Sequence, residues 1–325
     1  MKNKKGFEFS FGWIFAIIVG AVVIFLAIYA ATNLIKQERK VSDTEAGKEL
    51  GIILNPLETS FEEGKISLIS LPEETRIFNG CKSTGNFEVQ RTFGVQEISI
   101  ASKSGLGEAW QEPGIPSSFY NKYIFSPGVV EEKEIIVFSK PFSMPYEIAN
   151  IIILIPNNEK YCFVNPPSYI KDEFENDFKP ENINITDEIR KCERESKKIC
   201  FTSTGCDIDV NLETDSVRKK GQNRVYYEED SRNENALIYG AIFSDSGIYE
   251  CQIKRLMLRA SQLAGLYRAK SESLTPKGCS SNLESDLDFY ANMTKALNSS
   301  LDLRKIKLFA NELEDRNNLL TCKLF

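Results

Sequence analysis

Residues 11–35 read FGWIFAIIVGAVVIFLAIYAATNLI, an unbroken apolar run without a charged side chain. A helix rises about 1.5 Å per residue and needs about 20 apolar residues to cross the hydrocarbon core, so this run can span with some tilt. Trp13 near one end and Tyr29 towards the other suit the two interfaces, where rings with a polar tip settle. A buried core helix rarely stays apolar on every face for so long. No other segment of the 325-residue chain approaches this length. The rival reading is a cleaved secretory signal ending near Ala30-Ala31-Thr32, but such signals carry a shorter apolar region. The run therefore reads as a retained transmembrane helix over residues 11–35, bathed in membrane lipid, behind a basic tail over residues 1–10.

Charge near the span is almost balanced, with Lys2, Lys4 and Lys5 before it and Lys36, Arg39 and Lys40 after it. The bias that orients single spans is correspondingly small. A short tail, and a C-terminal part with eight cysteines and three Asn-x-Ser/Thr triplets, favour a cytoplasmic N-terminus and an extracytoplasmic domain. A net charge of -6 argues against nucleic acid as a partner, because phosphate binding needs a basic face. The chain has no histidine, which removes Ser-His-Asp chemistry, Cys-His chemistry and histidine-based zinc sites together.

Beyond the span, residues 36–64 read as a juxtamembrane amphipathic helix. Ala46, Leu50, Ile53, Leu54, Leu57 and Phe61 recur at steps of three and four. Nothing between Ile35 and Ala46 stops helical winding, so span and stripe form one helix, kinked at Pro56 and stopped near Gly64. Gly47 and Gly51 weigh against helix by propensity. Such a helix, half in membrane and half against a β-rich domain, resembles the spine of type IV pilins and pseudopilins. Lys4-Lys5-Gly6-Phe7 is similar to the basic, glycine-ended leader that prepilin peptidases cut. The resemblance implies processing between Gly6 and Phe7, and docking of like or unlike subunits through the N-terminal helix. The pattern departs at the fifth mature position, where bacterial pilins usually carry glutamate; here it is Phe11, with Glu8 three residues earlier. That departure weakens the implied docking. An ordinary signal-anchor with a juxtamembrane helix accounts for the same residues. The remainder, including YCFVNPPSYI near Tyr161 and the stretch from Tyr249 to Phe325, resembles membrane-anchored archaeal proteins that supply no activity to transfer.

Residues 65–243 read as a β-rich domain. Asn79-Gly80 is the strongest hairpin signal, flanked by Thr75–Phe78 and the segment from Cys81. Ile98 and Ile100 alternate, as do Ile208, Val210 and Leu212, which leaves Asp207 and Asp209 facing water. Ile151–Ile155 and Lys160–Val164 bracket a turn at Pro156-Asn157-Asn158-Glu159. Ala236–Phe243 closes the series as an apolar strand. The charged segment from Lys171 to Glu193 holds a short helix. Without regular strand–helix alternation, antiparallel sheet is expected. In the loop before Ser126, Trp110, Phe119, Tyr120 and Tyr123 form a candidate partner surface, since loop aromatics often touch partners. The alternative is that these rings cover the sheet.

Residues 244–325 form a C-terminal helical segment with three stripes: Tyr249 to Tyr267, Leu287 to Leu297 and Leu303 to Leu320. Ser244, Asp245 and Ser246 can cap the first, and Ser281 with Glu284 makes a capping box for the second. The fold class is thus α+β, with a long N-terminal transmembrane and amphipathic helix, a mainly antiparallel β-rich domain and a C-terminal three-helix segment. Antiparallel helices would place Cys279 and Cys322 at one end of the bundle, where a disulfide would tie down the C-terminus. Cys200 and Cys206, framing a short hairpin, are the next candidate pair. No C-x2-C occurs, so no metal or other cofactor is expected. Asn184, Asn292 and Asn298 each head an Asn-x-Ser/Thr glycosylation triplet. Lys219-Lys220 is too small for a nucleic-acid patch. The functional expectation is a non-catalytic structural or surface component. A bitopic ligand-binding or sensing module is second, and a histidine-free hydrolase last.

Overall fold

The computed structural model describes residues 11–58, 66–83, 94–103, 109–202, 204–228 and 235–325. Helix α1, Phe11–Ile53, is unbroken and about 65 Å long at the usual rise. Among the described residues it is the one helix long and apolar enough to cross a membrane. From Phe11 to Ser42 its side chains are exposed throughout, except at half-buried Gly20. From Asp43 one stripe turns inward, through Gly47, Leu50 and Gly51. A kink at Leu54 precedes the short helix α2, Asn55–Glu58, which contains Pro56. Leu54 and Leu57 continue the buried stripe, whereas Ile53 points outward. The expected continuation through Phe61 to Gly64 lies outside the described residues.

The stripe packs on a six-stranded sheet. Its strands are β1 Ile66–Lys82, β2 Val95–Ser102, β3 Ser117–Phe119, β4 Tyr123–Phe125, β5 Val129–Ser143 and β6 Glu147–Pro156. Their order is β3-β2-β1-β5-β6-β4, antiparallel except where β4 runs parallel to β6. Strand side chains alternate between faces. On β5 and β6, Ile135, Val137, Ile152 and Leu154 meet Leu50, Leu54 and Leu57, while Ile136, Phe138, Ile151, Ile153 and Ile155 enter the main core. Both faces are covered, which is why β6 reads as a continuous apolar run.

The expected hairpin at Asn79-Gly80 does not form. Both residues sit inside β1, paired with Ile98 and Glu97 on β2. Asn79 is buried and donates to Ser126 Oγ at 2.7 Å, a tertiary use of a side chain that turn statistics cannot see.

A second sheet contains β7 Tyr161–Val164, β8 Ile183–Thr186, β9 Lys197–Cys200, β10 Ile208–Asn211, β11 Ser216–Lys219 and β12 Val225–Tyr226. Its order is β12-β11-β10-β9-β7-β8. The four strands from β8 to β10 run parallel, so this sheet is mixed rather than antiparallel. Short crossovers make this possible: helix α3, Ser168–Asp172, runs into a π turn at Glu173–Phe178 between β7 and β8. Tyr161 and Phe163 face the main core, and the other side of β7 carries Cys162 and Val164 against Cys200, Cys192 and Cys206.

Ala236–Phe243 is helix α4, not a strand. All eight of its residues are buried, and an element buried on every side carries no period that tells helix from strand. Helices α5 Ser246–Leu274, α6 Glu284–Lys295 and α7 Leu303–Asn318 follow. They bury the three expected stripes in the same core that receives β5, β6 and β7. The expected capping box does not form, because Ser281 and Glu284 both engage Ser271 on α5 at 2.6 Å. Asp245 precedes α5 but takes Gly128 N–H and Gln222 instead of capping it. A capping box does form at Ser299–Asp302, ahead of α7.

Candidate functional site

The four aromatic residues read as a partner surface differ in what they present. Trp110 is half-buried and pairs with Lys103, its ring 4.3 Å from the Arg76 guanidinium carbon and 5.3 Å from Lys103 Nζ. Arg76 in turn bonds Glu131, and Lys103 bonds Glu74, each at 2.7 Å. Phe119 is half-buried against α1 at Gly51. Tyr123 is only 2 % exposed and belongs to the core, as β4 alternation at a sheet edge covered by α5 requires. Tyr120 alone of the four is exposed, at 53 %.

What fixes this loop is Arg255, a guanidinium with no exposed surface. Its Nη1 donates to Lys122 O and Gln252 Oε1 at 2.8 Å, and its Nη2 donates to Tyr120 O at 2.9 Å. The guanidinium carbon lies 4.8 Å from the Tyr123 ring centre. Gln252 extends the network by donating to Ile124 O at 2.9 Å and to Gln96 Oε1, and Gln96 reaches Asn79 Oδ1. A disulfide between Cys81 and Cys251 locks the same junction of β1 and α5. Burial pushes the Arg255 pKa down to about 10, so the side chain stays charged at neutral pH. Buried polar groups are costly unless satisfied, and these donors and acceptors satisfy one another across β1, β2, β4 and α5.

One helical turn beyond Arg255, Arg259 reaches a cleft of about 400 Å³ shared with Tyr120, Asn121, Glu147 and Asn150. The lining combines a cation, a carboxylate, amides and an exposed ring on a rigid backbone. That set suits hydrogen bonding to a polar ligand. Among the described residues, no three His, Cys, Asp or Glu side chains stand together as metal ligands.

All eight cysteines are paired: Cys81–Cys251, Cys162–Cys192, Cys200–Cys206 and Cys279–Cys322. Cys279–Cys322 closes the end of the helical segment. Cys200–Cys206 closes the loop between β9 and β10, where Asp209 accepts Gly205 N–H and Cys206 N–H at 3.0 Å. Asp209 is therefore buried, contrary to the alternation-based expectation, while Asp207 is exposed. Burial pushes the Asp209 carboxyl up, but the Arg218 guanidinium and the loop N–H groups outweigh it and hold it below its ordinary range. Asn184 on the edge strand β8, Asn292 on α6 and Asn298 ahead of α7 are all exposed. Gly6 and Phe7 lie outside the described residues.

No local pattern marks Lys219, where β11 ends, as an inward-turned cation. Its side chain is half-buried and its amine donates to Ser244 O, beside Asp245. Burial lowers its pKa to about 7, against the pull of Asp245 and with the help of Lys197. The run of charged residues hid it, because which lysine turns inward depends on how α4 crosses β11.

Comparison of the chain with protein-family models, with curated protein sequences and with solved structures returned no match.

Proposed function

We propose that the protein is a non-catalytic, membrane-anchored surface component, its N-terminus cytoplasmic and its disulfide-braced head outside the cytoplasm. The observation that carries this reading is the continuity of α1, exposed and apolar at its start and packed into the head from Asp43 onward. A helix exposed on every face over that length needs lipid or other helices around it. Four disulfides support an oxidising compartment, since cytosolic thiols stay reduced. The exposed length of the helix also supports assembly of like or unlike subunits through it, in the manner of pilin-type proteins.

Two measurements test this. Protease added to sealed cells that lack a shielding surface layer should digest the head, and non-reducing peptide mapping should recover the four pairs; an untouched head with free thiols would end the reading. N-terminal sequencing bears on the pilin-type route: a mature chain starting at Phe7 supports it, and a retained Met1 or Lys2 removes it.

A second reading, a bitopic binding module, is favoured by the cleft at Tyr120, Glu147 and Arg259. A polar ligand that protects these three residues from chemical footprinting would establish it.

A further inference from the structure

We propose that the cleft between α1 and the Trp110 turn seats the phosphate headgroup of an anionic lipid from the bilayer that α1 crosses. The inference rests on residues 11–35 being the span.

Three contacts fix where the turn sits. Ser102 Oγ donates to Asp43 at 2.7 Å, and Ile115 N–H donates to Thr44 Oγ1 at 2.9 Å. Between them, Gly114 lies flush against the backbone at Asp43 and Thr44. Held there, the chain runs back along α1 and brings Trp110 and Glu112 opposite Asn33, Lys36, Arg39 and Lys40, around a cleft of about 530 Å³.

The depth of this cleft follows from helix geometry. If the hydrocarbon ends near Ile35, the polar zone beyond it is roughly 5–8 Å thick, or about three to five helical residues. Lys36, Arg39 and Lys40 fall within that zone, at the level of lipid phosphates. Trp110 faces the same zone, where indole rings concentrate in membrane proteins.

Charge selects the occupant. Lys36, Arg39 and Lys40 face Glu112 and Asp43, and Ser102 already engages the Asp43 carboxylate. The remaining excess is cationic in an acidic protein of net charge -6, and at the level of the lipid phosphates it favours an anionic headgroup over a zwitterionic one. The indole opposite gives the glycerol backbone of such a lipid an apolar wall.

The test uses the full chain reconstituted in vesicles. Trp13 and Trp110 are the only tryptophans, so Trp13→Phe leaves Trp110 as the single reporter. In phosphatidylglycerol-containing vesicles, Trp110 emission should shift to the blue. Lipids brominated near the headgroup should quench it more than in phosphatidylcholine alone. The triple variant K36Q/R39Q/K40Q should abolish the difference between lipids. Equal signals in the two lipids, or a difference that survives the triple variant, would overturn the proposal. So would inorganic phosphate reproducing the full shift in phosphatidylcholine vesicles, which would make the site a receptor for soluble anions. Trp110→Phe leaves Trp13 to report on the span alone, through lipids brominated deep in the chain. Trp13 quenched while Trp110 stays unresponsive sinks the headgroup site only; Trp13 unquenched sinks the span and the site with it.

Discussion

Gly114 approaches Thr44 so closely that a Cβ built on it would lie 2.6 Å from the Thr44 backbone nitrogen. Backbone atoms of a helix cannot rotate away, so Gly114→Ala has to push the 109–116 loop off α1. The equivalent atom at Gly51 would meet the Phe119 ring at 2.1 Å, but that ring is half-buried and can swing. Overpacking of this kind costs about 1–3 kcal/mol. Gly114→Ala should fall at the upper end and Gly51→Ala at the lower. Denaturant unfolding of the two variants in detergent checks the order, and faster amide exchange over residues 43–57 in Gly114→Ala would locate the damage. Equal stability of Gly114→Ala and the parent would mean that the loop does not rest on the helix.

Arg255→Met keeps much of the side-chain volume but removes the guanidinium donors to the carbonyl oxygens of Tyr120 and Lys122. Losing a hydrogen bond to a charged donor costs roughly 1.5–3 kcal/mol. The loss should concentrate in the backbone from Phe119 to Ile124, and with it the placing of Tyr120 at its cleft. Amide exchange is the measurement. Residues 119–124 should exchange faster in the variant while β5 keeps its protection, and an unchanged pattern would show that the disulfide at Cys81–Cys251 suffices without the guanidinium.

The two glycines and the arginine also mark where the sequence stops being legible. The apolar run at residues 11–35, the stripe at Leu50, Leu54 and Leu57 and the three C-terminal stripes are local periodic signals, and the fold class follows from them. Gly47 and Gly51 weigh against helix by propensity, yet both sit on its buried face; at Gly51 the Phe119 ring occupies the place of a Cβ, whereas at Gly47 a Cβ would meet Ile98 O and Ser117 Oγ at an ordinary 3.6 Å. Asn79-Gly80 misled because turn chemistry was read without the strands that flank β1 on both sides. Cys279–Cys322 follows from helix order, a short-range argument; Cys81–Cys251 spans 170 residues and depends on α5 crossing the first sheet, which no local pattern encodes. The same holds for the cleft at Tyr120 and Arg259, whose two sides lie far apart in the chain.

Lys219 makes stability rise with pH, the opposite of a lysine whose folded-state pKa is raised by an anionic partner. Burial lowers its folded-state pKa to about 7, whereas the unfolded chain keeps the ordinary lysine value. Below pH 7 both states hold the proton and the native state bears the whole desolvation penalty. Above it, the unfolded state binds more protons than the native one, so the unfolding free energy climbs by up to about 1.4 kcal/mol per pH unit. Tyr239, Tyr249 and Tyr290 are buried with raised pKa values and act in the opposite sense only above the ordinary tyrosine range. Denaturant midpoints between pH 7 and about 9.5 therefore isolate the lysine. The parent should gain stability across this window and Lys219→Met should lose most of the slope; a variant with the parent's slope would place the titration elsewhere.

Truncation separates the two jobs of α1. A fragment beginning at Val41 discards the exposed apolar length but keeps Asp43, Thr44, Leu50, Leu54 and Leu57, and it should be soluble, monomeric and folded. A fragment beginning at Ile66 strips those leucines from the face of the first sheet, where Ile77, Ile98, Ile100, Ile135 and Ile152 would meet water. Burying one leucine side chain is worth roughly 1.5–3 kcal/mol, so the three leucines supply on the order of 5–9 kcal/mol. That is comparable with the 5–15 kcal/mol or so that holds a typical domain together. The shorter fragment should aggregate or bind a hydrophobic dye, whereas the longer one should melt cooperatively. If the fragment from Ile66 melted at the same temperature as the fragment from Val41, the helix would be a tether only, and the rigid coupling of α1 to the head that the proposed headgroup site requires would be lost.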